Sequence, residues 1–237
     1  MAIVVHFPMG AGGNLVRNIF SLSPGFELLG ADRAPVESNK YEFLLDYYQQ
    51  EVNRTTWLER EWSIRQGLFN RYYNLNVPVY WNPDYKLVYD NHGTITVEDL
   101  DHPLQHWNRS GIKNNTITEQ IAEWTLRDCQ HVFIDVGNLI KQINQIYFSK
   151  NHNLQKNFVT MSASWNKQLD TLQKNLSQCL IIDVKHLFSN SGDREIYNLS
   201  KMLNLDIDAN WIKTIHQTWL QSTREIYYNY YKENLTL

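Results

Sequence analysis

The sequence predicts an α/β protein, with a parallel sheet of four or five strands flanked by helices, in a single domain over residues 1–237. Three observations carry this. The chain opens on a short apolar run, Ala2-Ile3-Val4-Val5-His6, which passes through a glycine cluster into a segment of helical periodicity. Similar runs recur near 85–89, 131–136 and 179–184, with a fifth at 26–29, and most intervals between them are long enough for helical crossovers. No internal repeat or low-complexity linker divides the chain, whose length suits one sizeable core.

Bulk composition excludes several classes. A hydrophobic content of 43% with 20% charged residues is that of a globule, and a net charge of −3 gives no electrostatic footprint for nucleic acid. No apolar run approaches the length of a membrane span, and the N-terminal strand lacks the basic region of a signal peptide. Cys129 and Cys179 each flank an expected strand and read as small buried apolar residues, not as a disulfide or a metal site.

The elements follow in order. After the first strand, Leu15, Val16, Ile19, Phe20 and Leu22 recur at helical spacing, and Ser23-Pro24-Gly25 turns the chain toward the run at 26–29. Residues 41–53 predict a helix with Tyr41, Leu44, Leu45, Tyr48 and Val52 on one face, and a second helix covers about 56–72. Residues 74–84 are irregular, with Pro78 and Pro83. The run at 85–89 leads into Asp90-Asn91-His92-Gly93-Thr94, a polar strand end of the kind that lines an α/β crevice. Residues 97–113 read as loop. Thr116 and Glu119 form a capping box for a helix reaching about Asp128. The strand at 131–136 turns at Gly137-Asn138 into a helix carrying Leu139, Ile140, Ile143, Ile146 and Tyr147. Trp165, Leu169, Leu172 and Leu176 define the next helix, and the run at 179–184 is the last strand. A helix through Ile196, Leu199 and Leu203 follows. Asp208 caps a long terminal helix, whose stripe of Trp211, Ile212, Ile215, Trp219, Ile226, Tyr227 and Tyr230 predicts a core-facing surface.

The candidate site lies in the first turn. Glycines at 10, 12 and 13 allow a tight turn with inward amides, and the following helix adds partial positive charge at its start. A phosphate would sit over Gly10, Ala11, Gly12, Gly13 and Asn14, with Leu15 opening the helix. The alternative is a strand-to-helix turn that binds nothing. Gly13 is followed by Asn14-Leu15 where an ATPase loop has Lys-Ser or Lys-Thr, which argues against ATP with magnesium. Arg17, one turn into the helix, either points back toward the anion or lies in solvent. His6 is either a base beside the loop or a packed strand-end residue.

Phe7-Pro8-Met9-Gly10-Ala11-Gly12-Gly13-Asn14-Leu15 resembles the 5′-phosphosulfate loop of the sulfotransferase family, which also begins with Pro after the first strand. It differs in carrying Met9 where the common form has Lys, and in being one residue longer. The resemblance implies a P-loop NTPase-like, sulfotransferase-like fold. It also implies 3′-phosphoadenosine 5′-phosphosulfate (PAPS) as co-substrate and no metal. Some members are membrane-anchored, and without an apolar run of membrane length this chain is expected to be of the soluble, cytoplasmic type. The acceptor would be a hydroxyl or amine on a small molecule or carbohydrate. The family's strand end Lys-Thr-His matches Asp90-Asn91-His92 at the histidine alone, which implies His92 as the base on the acceptor. The family's 3′-phosphate ligands, an Arg at a strand end and a Ser about two turns later, fall near Val136 and Asn144. Lys141, between them, is the available substitute for the missing Arg. The competing expectation is a non-catalytic nucleotide- or anion-binding protein on the same scaffold, and a kinase is third.

Overall fold

The computed structural model describes residues 2–8, 11–29, 40–51, 86–91, 95–102, 125–137, 165 and 168–231. The strands are β1 (Ala2–His6), β2 (Phe26–Leu29), β3 (Lys86–Asn91), β4 (Gln130–Asp135) and β5 (Cys179–Asp183). All pair in parallel, in the spatial order β2-β3-β1-β4-β5. All five expected runs are therefore strands, including the short one at 26–29. Parallel neighbours need long crossovers, and helices in the described crossovers flank the sheet. Burial follows: Ile3, Val4, Val5 and His6 of β1 are all buried, as are His131 to Ile134 of β4.

The order places β1 at the centre. The chain leaves β1 toward β2 on one side of the sheet and leaves β4 toward β5 on the other. Connections that diverge in this way open a crevice at the carboxyl ends of the two strands. His6, the last residue of β1, lies opposite Asn91, the last of β3, and opposite Phe133, two residues before the end of β4.

Helix α1 (Gly13–Phe20) buries Leu15, Val16, Ile19 and Phe20. It ends at Ser21, whose hydroxyl donates to the Asn18 carbonyl at 2.6 Å. Helix α2 (Lys40–Glu51) presents Leu44 and Tyr48 to the core. The Asn18 side-chain amide donates to the Tyr48 hydroxyl at 3.0 Å, and the buried Lys40 ammonium donates to the Phe26 and Ser21 carbonyls. These bonds fasten α2 to the end of α1 and the start of β2.

The C-terminal third forms α3 (Val184–Leu187), α4 (Gly192–Met202) and α5 (Ala209–Tyr231). Asp183 caps α3 by accepting from the Lys185 amide at 2.7 Å, and Asp208 accepts from the Asn210 amide at 2.7 Å at the start of α5. Ile212, Ile215 and Trp219 turn inward as the stripe predicts, and Leu220 joins them. Trp211 instead stays 39% exposed and stacks on Tyr41 of α2 with ring centroids 4.8 Å apart.

Two expectations are corrected. The helix expected to reach Asp128 does not occupy its last residues: Thr125 is extended, and Leu126–Asp128 is a single 3₁₀ turn. The cause is local. The Asp128 carboxylate accepts from both the amide and the hydroxyl of Thr125, at 2.8 Å each, so the side chains cap a new turn. Neither cysteine is in a disulfide, and both are only partly buried; burial still pushes the Cys179 thiol up to about 12. The described part of the 97–113 loop holds a 3₁₀ turn at Glu98–Asp101, tied to the 126–128 turn by the Asp101–Arg127 ion pair. The helices expected over 56–72, 116–124 and 138–147 lie outside the described residues.

Candidate functional site

Phe7 and Pro8 continue β1 into the turn, and both are buried. The Ala11 amide donates back to the Pro8 carbonyl at 3.1 Å, which closes the turn. Gly12 then takes φ 77°, ψ 8°, the left-handed conformation, in the N-cap position where an extended residue is usual. Gly13 begins α1, and the Leu15 amide donates to the Gly12 carbonyl at 3.0 Å.

Both described glycines are required by close approach. A Cβ on Gly13 would overlap the ring of Phe7, and one on Gly12 would lie 2.9 Å from Leu187 Cδ2 and 3.0 Å from Trp219 Cζ2. Replacing Gly12 by Val therefore strains the turn and its packing as well as any ligand.

A left-handed residue followed by a right-handed one makes successive amides converge on a concavity that suits an anion. The amides of Gly12, Gly13 and Asn14 take no carbonyl partner among the described residues. The start of α1 adds its dipole at the same place. The turn stands at the carboxyl end of the central strand, beside the switch between β1 and β4.

Beneath the turn lies a buried histidine pair. His131 Nε2 is 2.7 Å from the Leu126 carbonyl, so that nitrogen carries the proton and Nδ1 accepts. His6 Nε2 lies 2.8 Å from His131 Nδ1 and is therefore the donor. The rings stack with centroids 5.1 Å apart, and Phe133 and Trp165 extend the aromatic layer. Both histidines are held neutral. Burial, and then the neighbouring His131, keeps His6 well below the ordinary imidazole value, and burial lowers His131 to about 4. His6 is thus a packed strand-end residue and is withdrawn as a base. Two histidines set inside apolar strands are the local sign of this pair, but no local pattern joins them across 125 residues.

Arg17 is buried, in contrast to a solvated position, with its guanidinium beside Asn18 Oδ1. Ala11 and Leu15 belong to the core, and Asn14 is partly exposed. Val136 is buried among apolar neighbours at the end of β4, so that strand end presents no cation. Asp135 and Asp183 are register partners at the ends of β4 and β5, and each spends an oxygen on the turn that follows it. Gly10, His92, Lys141 and Asn144 lie outside the described residues. His92 directly follows Asn91, the residue opposite His6.

Among the described residues no group of three or more His, Cys, Asp or Glu side chains is arranged to hold a metal ion, and no helix is long and apolar enough to cross a membrane. Comparison with protein families, with curated proteins and with solved structures gives no match to this chain.

Proposed function

We propose that this chain binds a phosphate-bearing nucleotide at the Gly12–Asn14 amides and is a sulfotransferase-like enzyme of the P-loop-like class, with PAPS as donor and a hydroxyl or amine as acceptor. One observation carries the binding site: a left-handed Gly12 followed by a helical Gly13 at the carboxyl end of the central parallel strand. The similarity of residues 7–15 to the phosphosulfate loop supplies the reaction class.

The residues present fit one half of the donor. Converging backbone amides suit a 5′-phosphosulfate, whose charge is spread over several oxygens. The 3′-phosphate has no cation at the end of β4, where Val136 is buried, so Lys141 and Asn144 are assigned to it. When bound, PAPS supplies a sulfuryl group on an oxygen that departs with the bisphosphate. His92 takes the proton from the acceptor, a task suited to an imidazole near neutral pH. His6 cannot share it, because its ring is buried and its Nε2 proton is committed to His131.

Thermal unfolding with adenosine 3′,5′-bisphosphate, set against ATP with magnesium, tests the site. Ligand at 100 times its dissociation constant should add about 2.7 kcal/mol of stability. The bisphosphate should stabilise the protein and ATP should not; the reverse result would replace the sulfotransferase reading with a kinase. A second reading, a binding protein without catalysis, is favoured by the apolar Val136. Screening hydroxyl and amine compounds with labelled PAPS separates the two. With an acceptor in hand, His92→Ala should lower turnover about 10²–10⁴-fold and leave bisphosphate affinity unchanged. Unchanged turnover would remove His92 from the mechanism.

A further inference from the structure

The glycine turn is covered from the C-terminal side of the chain. Leu187 Cδ2 and the Trp219 ring occupy the side of Gly12 where a Cβ would project, 2.9 and 3.0 Å from the place such a Cβ would take, and both side chains are buried. Leu187 closes α3, and Trp219 lies on α5. His216, one turn before Trp219, joins these helices through a 2.8 Å hydrogen bond from Nε2 to the Leu187 carbonyl. The Trp219 ring is further held by Phe188 at 4.8 Å and His216 at 5.9 Å, centroid to centroid. Gly192, the first residue of α4, leaves room for this joint: a Cβ there would collide with His216 Nε2 and lie 2.6 Å from the Leu187 carbonyl.

A glycine adopts left-handed and right-handed conformations about equally well, so Gly12 does not select its own. Selection has to come from what packs on it. The turn would relax if the groups over Gly12 were removed, and its three amides would then lose their common focus. We propose that Trp219, seated with Leu187 on Gly12, is the positioning residue that holds this turn in its left-handed form. The C-terminal helices thereby set the geometry of a site formed at the opposite end of the sequence. For its effect on a ligand, the proposal rests on the phosphate-binding reading above.

The test compares wild type, Trp219→Ala and Trp219→Phe well below their unfolding temperatures. NMR shifts of the Gly12 α-carbon report the turn, and calorimetry with inorganic sulfate and with adenosine 3′,5′-bisphosphate reports binding. Trp219→Ala should move the Gly12 α-carbon shift out of its left-handed range. It should also weaken both probes about tenfold, the scale of losing one well-aimed hydrogen bond to a charged group. Trp219→Phe keeps a flat ring on Gly12 and should restore both. An unmoved Gly12 shift in Trp219→Ala overturns the proposal, whatever the affinities. Should that variant fail to fold, Leu187→Ala is read by the same criteria. Failure of the wild type to bind either probe, with the Gly12 shift still responding, would refute the phosphate reading and uphold the positioning role.

Discussion

Acidification from pH 7 to pH 4 is expected to lower the unfolding temperature continuously, with net uptake of protons on unfolding. His6, His131 and His216 are buried, and burial lowers the affinity of each for a proton. In the unfolded chain each imidazole titrates near 6.5. Below that pH the unfolded state takes up protons that the folded state refuses. Stability is therefore full above about 6.5 and is lost as the pH falls toward the folded values. For His131, which reaches about 4 in the fold, the difference amounts to about 3 kcal/mol. His216 resists charging because it is buried and its Nδ1 finds no partner among the described residues; its hydrogen bond to the Leu187 carbonyl and the nearby Asp193 carboxylate offset this only in part. Asp101, held low chiefly by its hydrogen bond to Arg127, loses its contribution only below the carboxylate range, outside the histidine window. Calorimetry across this range, with His131→Asn as control, checks the expectation. The variant should take up about one proton fewer. An unfolding temperature independent of pH between 7 and 5 would mean that the histidines are hydrated and not buried.

Replacing Gly13 by Ala should cost about 3 kcal/mol or more, an unusually large effect for a single methyl group. Gly13 lies in the first turn of α1, where Ala is ordinarily the better residue by up to about 1 kcal/mol. The sign reverses because the new Cβ would penetrate the ring of Phe7, whose position between β1 and the core leaves it nowhere to retreat. Truncating Phe7 removes the obstacle. Phe7→Ala alone should be strongly destabilising, by about 3–5 kcal/mol for a buried aromatic. Adding Gly13→Ala in that background should then be neutral or mildly stabilising. Denaturant unfolding of the four proteins measures the coupling. Additive losses in the double mutant would show that Phe7 and Gly13 do not meet, and the close strand-to-helix approach would fall with them.

Much of the architecture was legible in local pattern. A run such as Ile3-Val4-Val5 or Val132-Phe133-Ile134 has no other stable place than a strand covered on both faces. Leu15, Val16, Ile19 and Phe20 likewise commit α1 to the core. The glycine turn announced itself because left-handed backbone and close approach select one residue type. At Thr125, by contrast, the helix expected from the Thr116–Glu119 capping box does not continue to Asp128. A Thr–Asp pair offered the backbone a local cap that outcompeted helix at residues 125–128.

The sequence by itself thus determined the five strands, their parallel class and the glycine turn into α1, because each follows from the periodicity or conformational range of neighbouring residues. Only the tertiary structure decided the strand order, which centres β1 and sets the crevice between β1 and β4. It alone joined His6 to His131, brought Arg17 out of solvent and placed Trp219 on Gly12. These contacts link residues separated by more than a hundred positions, or depend on which side of the sheet a crossover takes. No local pattern encodes either. They arise when apolar faces find one another, and the polar groups carried inward with them must pair where they are.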